Sequence, residues 1–162
     1  MSGEYTPFEV VITAIIQKDG KYLITRRSMA KKRFPGQWTV PGGHLEPSDF
    51  MSYPKDTEHY WYNVLEKALA REIKEEVGLE ITNVRYVTSL ATEHKDGAAS
   101  VVLSCLADYV SGEVKLQADE TDKCEWVTTE EAKSYELLDG IYDELAMADS
   151  LLEGKKKEWK RH

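Results

Sequence analysis

Hydrophobic and polar positions change period along the chain, and each change marks an element. Residues 8–17 are rich in Val and Ile, Lys18-Asp19-Gly20 turns the chain, and residues 21–27 carry it back, which predicts a β-hairpin. Residues 28–36 are polar and end in Pro35-Gly36, a loop before a short strand over residues 37–40 that Pro41-Gly42-Gly43 breaks. From Leu65 through Leu69, Ile73 and Val77 the apolar positions recur at helical spacing, with Lys67, Arg71 and Lys74 on the opposite face and Gly78 as the stop. Residues 81–91 and 98–110 have strand composition around a second Lys-Asp-Gly turn, and Val101, Leu103, Cys105, Ala107 and Tyr109 share one face. Ser111-Gly112 turns the chain into residues 113–116, and residues 124–127 read as a last strand. Thr128 or Thr129 caps a short helix through Ser134, and residues 139–152 predict a terminal helix with Ile141, Leu145, Met147 or Ala148, and Leu152 facing inward. Antiparallel hairpins with helices between and after them predict an α+β domain in layers.

Composition narrows this picture. The chain has 162 residues with no visible repeat or linker, which predicts one domain over residues 1–162. Hydrophobic residues at 41% and charged residues at 31% predict a packed core and exclude a disordered chain. The longest apolar stretches, such as residues 10–16, fall short of the roughly 20 residues that span a bilayer, and no basic-then-apolar leader opens the sequence. Cys105 and Cys124 lie on strand-like alternations and read as buried thiols. Together these predict a cytoplasmic protein with no membrane partner, a monomer or a homodimer. A net charge of −8 argues against a stable nucleic-acid partner, since such proteins neutralise phosphate with excess Lys and Arg. Two basic clusters run against that balance: Arg26, Arg27, Lys31, Lys32 and Arg33, and a tail over residues 155–162 expected to be solvated and frayed.

The candidate chemistry sits on the central helix. Glu72, Glu75 and Glu76 fall within one arc of about 100°, because residues three and four apart share a face. Three carboxylates there repel one another, and a hard divalent cation such as Mg2+ or Mn2+ compensates clustered oxygen ligands. Preceding them, Pro41-Gly42-Gly43 lets backbone approach a metal or phosphate without side-chain interference. The order of a strand, Trp38, Pro41-Gly42-Gly43, a helix with Arg71, Glu72, Ile73, Glu75 and Glu76, then Gly78 and Leu79, resembles the Nudix hydrolase superfamily. Its box reads Gly-x5-Glu-x7-Arg-Glu-hydrophobic-x-Glu-Glu-x-Gly-hydrophobic. Residues 33–46 resemble the approach to that box in MutT-like members, and residues 125–131 their final strand and helix.

The resemblance implies an α/β/α sandwich around a mixed, curved sheet, and Mg2+- or Mn2+-dependent hydrolysis of a diphosphate bond in a nucleoside diphosphate linked to some group X. Within it Glu72, Glu75 and Glu76 are ligands or, for one of them, the base, with Glu72 first by position; Arg71 supports Glu75 across one turn. A backbone carbonyl at Gly43 and the carboxylate of Glu120 are further candidate ligands. Arg27, Arg33 and Trp61 are candidate substrate contacts, with packing as the alternative role for Trp61. The lone histidines His44 and His94 are expected at the surface. A nucleoside triphosphate is the expected substrate, because only seven residues precede the first strand, whereas ADP-ribose and nucleotide-sugar pyrophosphatases often carry a longer N-terminal region. Loss of box carboxylates would mark a non-catalytic sensor, and all three are present.

One departure stands out, because the box spans residues 43–79 with an insertion at about residues 49–62. Spacing forward from Gly43 places the first box Glu at Asp49, and spacing back from Arg71 places it at Asn63. Asn63 with Glu66 has the form of a capping box, and Asp56 or Thr57 offers an earlier helix start with residues 59–62 as an extra turn. The insertion carries Phe50, Tyr53, Tyr60, Trp61 and Tyr62.

Overall fold

The computed structural model describes residues 5–162. Strand β1 (Glu9–Lys18) turns through Asp19-Gly20 into β2 (Lys21–Arg27), as the hairpin pattern requires. The two strands pair only at Gln17–Tyr22 and Lys18–Lys21 and then part. Beyond that fork β1 pairs with β4 (Gly42–His44) on one side and runs parallel to β6 (Ala99–Ser111) on the other. On its side of the fork β2 pairs with β3 (Trp38–Thr39) and β7 (Thr121–Val127), while β5 (Glu80–Glu93) lies antiparallel to β6. The sheet is therefore mixed, with strand order β3-β2-β1-β6-β5 and β4 and β7 off that path.

Both faces of β1 are covered, which is why its sequence is a near-continuous apolar run. Ile12, Ala14 and Ile16 pack with Ala68, Leu69, Ile73 and Val77 of α2 (Val64–Val77), whereas Ile15 packs with Leu145 and Ala148 of α4 (Ile141–Leu152). The result is the expected α/β/α sandwich. Two short helices complete it: α1 (Ser48–Met51), inside the insertion, and α3 (Thr129–Ala132). Thr128 is the cap of α3, in a reciprocal capping box with Glu131. Among the described residues no helix is long and apolar enough to cross a membrane.

Several expectations need correction. Pro41-Gly42-Gly43 ends β3 but does not leave the sheet, since Gly42 and Gly43 pair with Thr13 and Ile12. Asn63 adopts a left-handed backbone without a side-chain cap bond, so no capping box forms there. Residues 59–62 are not helical; instead the Asp56 carboxylate accepts from the Tyr62 N–H at 2.8 Å and holds an irregular loop. Leu152 is 44% exposed, while Leu151 packs against the α4-side core and both Met147 and Ala148 are buried. Residues 113–116 run alongside α2 without joining the sheet, with Lys115 N–H donating to the Val77 carbonyl at 2.9 Å. The tail is exposed yet folds back: Trp159 Nε1 donates to Asp143 at 2.7 Å and the His162 ring contacts the same carboxylate at 2.9 Å.

Leu145, fully buried, and Leu152 provide a test of the α4 face. Chemical denaturation is expected to show Leu145→Ala losing about 2–5 kcal/mol of stability and Leu152→Ala losing less than about 1 kcal/mol.

Candidate active site

The fork between β1 and β2 brings β4 against α2, and this sets the carboxylates beside the double glycine. A Cβ at Gly43 would lie 2.1 Å from Cδ of Glu72, and one at Gly42 would lie 2.2 Å from the Ile12 carbonyl oxygen. Backbone forbids a side chain at Gly42, and one at Gly43 would displace the Glu72 carboxylate. In the space so kept, the Gly42 N–H donates to Glu76 Oε2 at 2.9 Å, and the Thr121 hydroxyl donates to Glu76 Oε1 at 2.7 Å. Thr121 is a contact of the candidate site that the sequence pattern missed; nothing in its local sequence distinguishes it from an ordinary first residue of a strand.

Arg71 organises the other side. Its Nε and Nη2 donate to the two oxygens of Asp49 at 2.5 and 2.9 Å, its Nη1 to Glu72 at 2.9 Å and Glu75 at 3.1 Å, and its Nη2 also to the His44 carbonyl at 3.2 Å. Asp49 is only 5% exposed and accepts the Glu46 N–H at 2.8 Å. The Arg71 guanidinium accordingly holds the Asp49 carboxyl below its usual range, with the backbone bond adding to the effect against burial. Of the two residues that spacing offers for the first box position, Asp49 is the one that meets Arg71.

Burial pushes the Glu72 and Glu76 carboxyls above the ordinary range. Arg71 opposes the shift at Glu72, and Thr121 and the Gly42 N–H oppose it at Glu76, where the charge of Glu120 adds to it. Glu75 is more exposed and, among the described residues, bound only to Arg71. The donors are hard oxygens in a region short of positive charge, which fits a divalent cation. Among the described residues no three carboxylates already converge on one point, since Arg71, Gly42 and Thr121 hold the oxygens that a cation would take.

The remaining candidates separate. Arg27 lies close enough to Glu120 and Glu76 to feel their charge, and its Nε donates to the Arg33 carbonyl at 2.8 Å. Burial lowers its pKa, and the two carboxylates oppose that change. Glu120 is paired with Lys31. Arg33 is committed elsewhere, to Glu9 at 3.0 Å and Asp96 at 2.9 Å. Trp61 is taken up within the insertion, where it packs edge-on against Phe50 and donates its indole N–H to the Tyr53 carbonyl at 2.8 Å. His44 is exposed, but His94 is largely covered, contrary to the surface expectation, and meets the Ser100 hydroxyl at 2.8 Å. Ser100 in turn donates to Glu9 at 2.7 Å, which with Arg33 holds the Glu9 carboxyl down at about 2.

A family model described as NUDIX domain matches residues 6–146. Nucleoside triphosphatase NudI of Escherichia coli K12 is 31% identical over 137 residues, covering 78% of this chain and 86% of that protein. NAD-capped RNA hydrolase NUDT12 of Homo sapiens is 32% identical over 123 residues, which are 75% of this chain but only 22% of that protein. In fold, a MutT NUDIX hydrolase structure from Burkholderia pseudomallei is similar at a TM-score of 0.69 and 22% identity, over 88% of this chain and 98% of that one.

The geometry gives two expected outcomes. Asp49→Ala leaves Arg71 without its bidentate partner and should cost about 2–4 kcal/mol in denaturant unfolding, less than for a fully buried pair because Arg71 is partly solvated; Asn63→Gly should stay within about 0.5 kcal/mol of the parent. The raised carboxyls of Glu72 and Glu76 keep their protons to higher pH than free carboxylates do, and a cation must displace those protons. Titration calorimetry with Mn2+ should therefore show affinity rising from about pH 5 to pH 7 and then levelling, with Gly43→Ala binding at least about tenfold more weakly at every pH.

Proposed function

The chain belongs to the Nudix family, and from that premise we propose that it is a pyrophosphohydrolase that cleaves a diphosphate bond in a nucleoside diphosphate linked to X, most simply a nucleoside triphosphate, with Mg2+ or Mn2+ bound. The observation that carries this reading is the pairing of Gly43 with Glu72 and of Gly42 with Glu76, two partly buried carboxylates with raised pKa beside backbone stripped of side chains. Similarity to NudI across most of both chains supports the triphosphate substrate. The cytoplasm suits the two free thiols, Cys105 and Cys124.

Glu72, Glu75, Glu76 and Glu120, with the Gly43 carbonyl, would hold the ion, which supplies Lewis acidity and neutralises phosphate charge. The chain's own residues do the rest. Gly42 and Thr121 fix the plane of the Glu76 carboxylate. Arg71 holds Glu72 and Glu75 in one orientation, so that little rearrangement precedes reaction. Glu72, partly shielded and with a raised pKa, takes the proton from the attacking water. Arg27, with its Nη groups free of protein hydrogen bonds among the described residues, donates to phosphate oxygens and draws charge from the leaving group. Arg33 acts through its carbonyl, which orients Arg27, and Trp61 stiffens the insertion beside the helix.

A panel of nucleoside triphosphates, modified nucleotides, ADP-ribose, nucleotide sugars, dinucleoside polyphosphates and capped RNA, assayed with Mg2+ and with Mn2+, tests the reading. Turnover is expected on at least one nucleoside triphosphate and to fall at least about a hundredfold in Glu76→Gln with the fold intact. No cleavage of any diphosphate, or full activity in Glu76→Gln, would refute it.

A further inference from the structure

The loop between β2 and β3 carries a cation that the mechanism above leaves unused. Ser28 is buried, and its N–H donates to the Glu120 carbonyl at 3.0 Å. The Lys31 N–H donates to the Ser28 carbonyl at 3.1 Å and the Ala30 N–H to the Ser28 hydroxyl at 3.2 Å. Residues 28–31 thus form a closed turn fastened to the backbone of Glu120. From the same turn the Lys31 ammonium reaches the Glu120 carboxylate. Glu120 is therefore held to one short segment twice, by main chain and by side chain.

The two holds differ in character. The backbone bond is anchored on a buried serine, but Lys31 and Glu120 keep 27% and 44% of their side-chain surface in solvent. An ion pair so exposed is weak and exchangeable. Glu120 is also near enough to Glu76 for its charge to act there, and Thr121, the next residue, donates to Glu76. A divalent ion at Glu76 therefore competes with a monovalent ammonium for Glu120, and the doubly charged ion has the stronger field.

We infer that Lys31 is an exchangeable counter-ion: it holds Glu120 in the metal-free protein and moves to a phosphate oxygen of the substrate once a divalent ion takes Glu120. This rests on the Nudix metal reading above. The turn keeps the Lys31 backbone where it is, so the freed ammonium remains within one side-chain length of the site. There it joins Arg27, from the same segment, facing the carboxylates. Lysine suits the part, being a compact point charge on a flexible stem with three rotatable donors. Metal and phosphate binding are then coupled through one side chain, and the coupling is reciprocal.

Calorimetry on the full chain reads the two ligands separately: Mn2+ alone, then tripolyphosphate with Mn2+ saturating. Lys31→Met, which keeps the apolar stem, should bind Mn2+ about twofold to fivefold more tightly and tripolyphosphate at least about fivefold more weakly. Lys32→Met, on the neighbouring residue, should change neither, and Glu120→Gln should abolish the tightening by Lys31→Met. Thermal melts confirm that the variants fold. Unchanged or weaker Mn2+ binding in Lys31→Met overturns the inference, as does unchanged tripolyphosphate binding. If Glu76→Gln loses Mn2+ but Glu120→Gln does not, the exchange is refuted while the metal-helix reading stands. If neither substitution affects Mn2+ binding, the metal reading itself fails.

Discussion

The bidentate ion pair between Arg71 and Asp49 is the contact on which the site depends. It does three things at once. It closes the insertion, because Asp49 lies at the start of the inserted residues and Arg71 well after them. It binds α1 to α2 at a point where Asp49 is out of solvent. It also commits one guanidinium edge to Asp49, which leaves Nη1 aimed at Glu72 and Glu75. Arg is the one side chain with a planar fork that can serve three carboxylates in fixed directions. A lysine there would supply charge without the geometry.

Around that pair the fold solves an electrostatic problem in stages. Carboxylates crowded on one helical face repel, and burial makes their ionised forms costlier still. The protein offsets part of that cost with fixed donors: Arg71 at Glu72, and Gly42 N–H and Thr121 at Glu76. The compensation is incomplete, since both carboxyls remain shifted upward. What is left over would favour a cation, as the proposed function requires. The double glycine belongs to the same solution, because Gly42 fits against the Ile12 carbonyl while donating to Glu76, and Gly43 leaves Glu72 in place.

How much of this was legible depended on the range of the interactions. The helix over Val64–Val77 and the strands of the hairpins were readable because apolar period is a local signal, reinforced here by burial on both faces of β1. The three carboxylates followed from helical geometry alone. The choice between Asp49 and Asn63 was not local: each satisfied the spacing from one end, and only the tertiary contact with Arg71 separates them. Asn63 failed as a cap because its backbone is left-handed, whereas a capping side chain requires an extended residue. Thr121, and the partner of Lys31 within its basic cluster, were unreadable for a different reason, since both residues act across long sequence separations on side chains whose neighbours are set by the fork of β1 and β2. Arg33 and Trp61 show the converse, with chemistry suited to a ligand but donors engaged within the protein.

The insertion becomes intelligible once its ends are considered as a closed loop. Loop-closure entropy grows only slowly with length, so adding residues between two pinned points costs little. Here the points are pinned by Asp49 with Arg71 and by the start of α2, and the loop supplies its own packing through Phe50 on Trp61 and Asp56 on the Tyr62 N–H. Lys67 on α2 sits over the Tyr53 ring, which fixes the loop along the helix face that also bears Arg71. Meanwhile Tyr53, Tyr60 and Tyr62 remain half-exposed or more. A loop that is packed inside and aromatic outside can change what approaches the site without disturbing the residues proposed to hold a cation. Asp49 meets Arg71 through space although the inserted residues separate the two along the chain, so the length of the insertion leaves the Arg71 contacts in place.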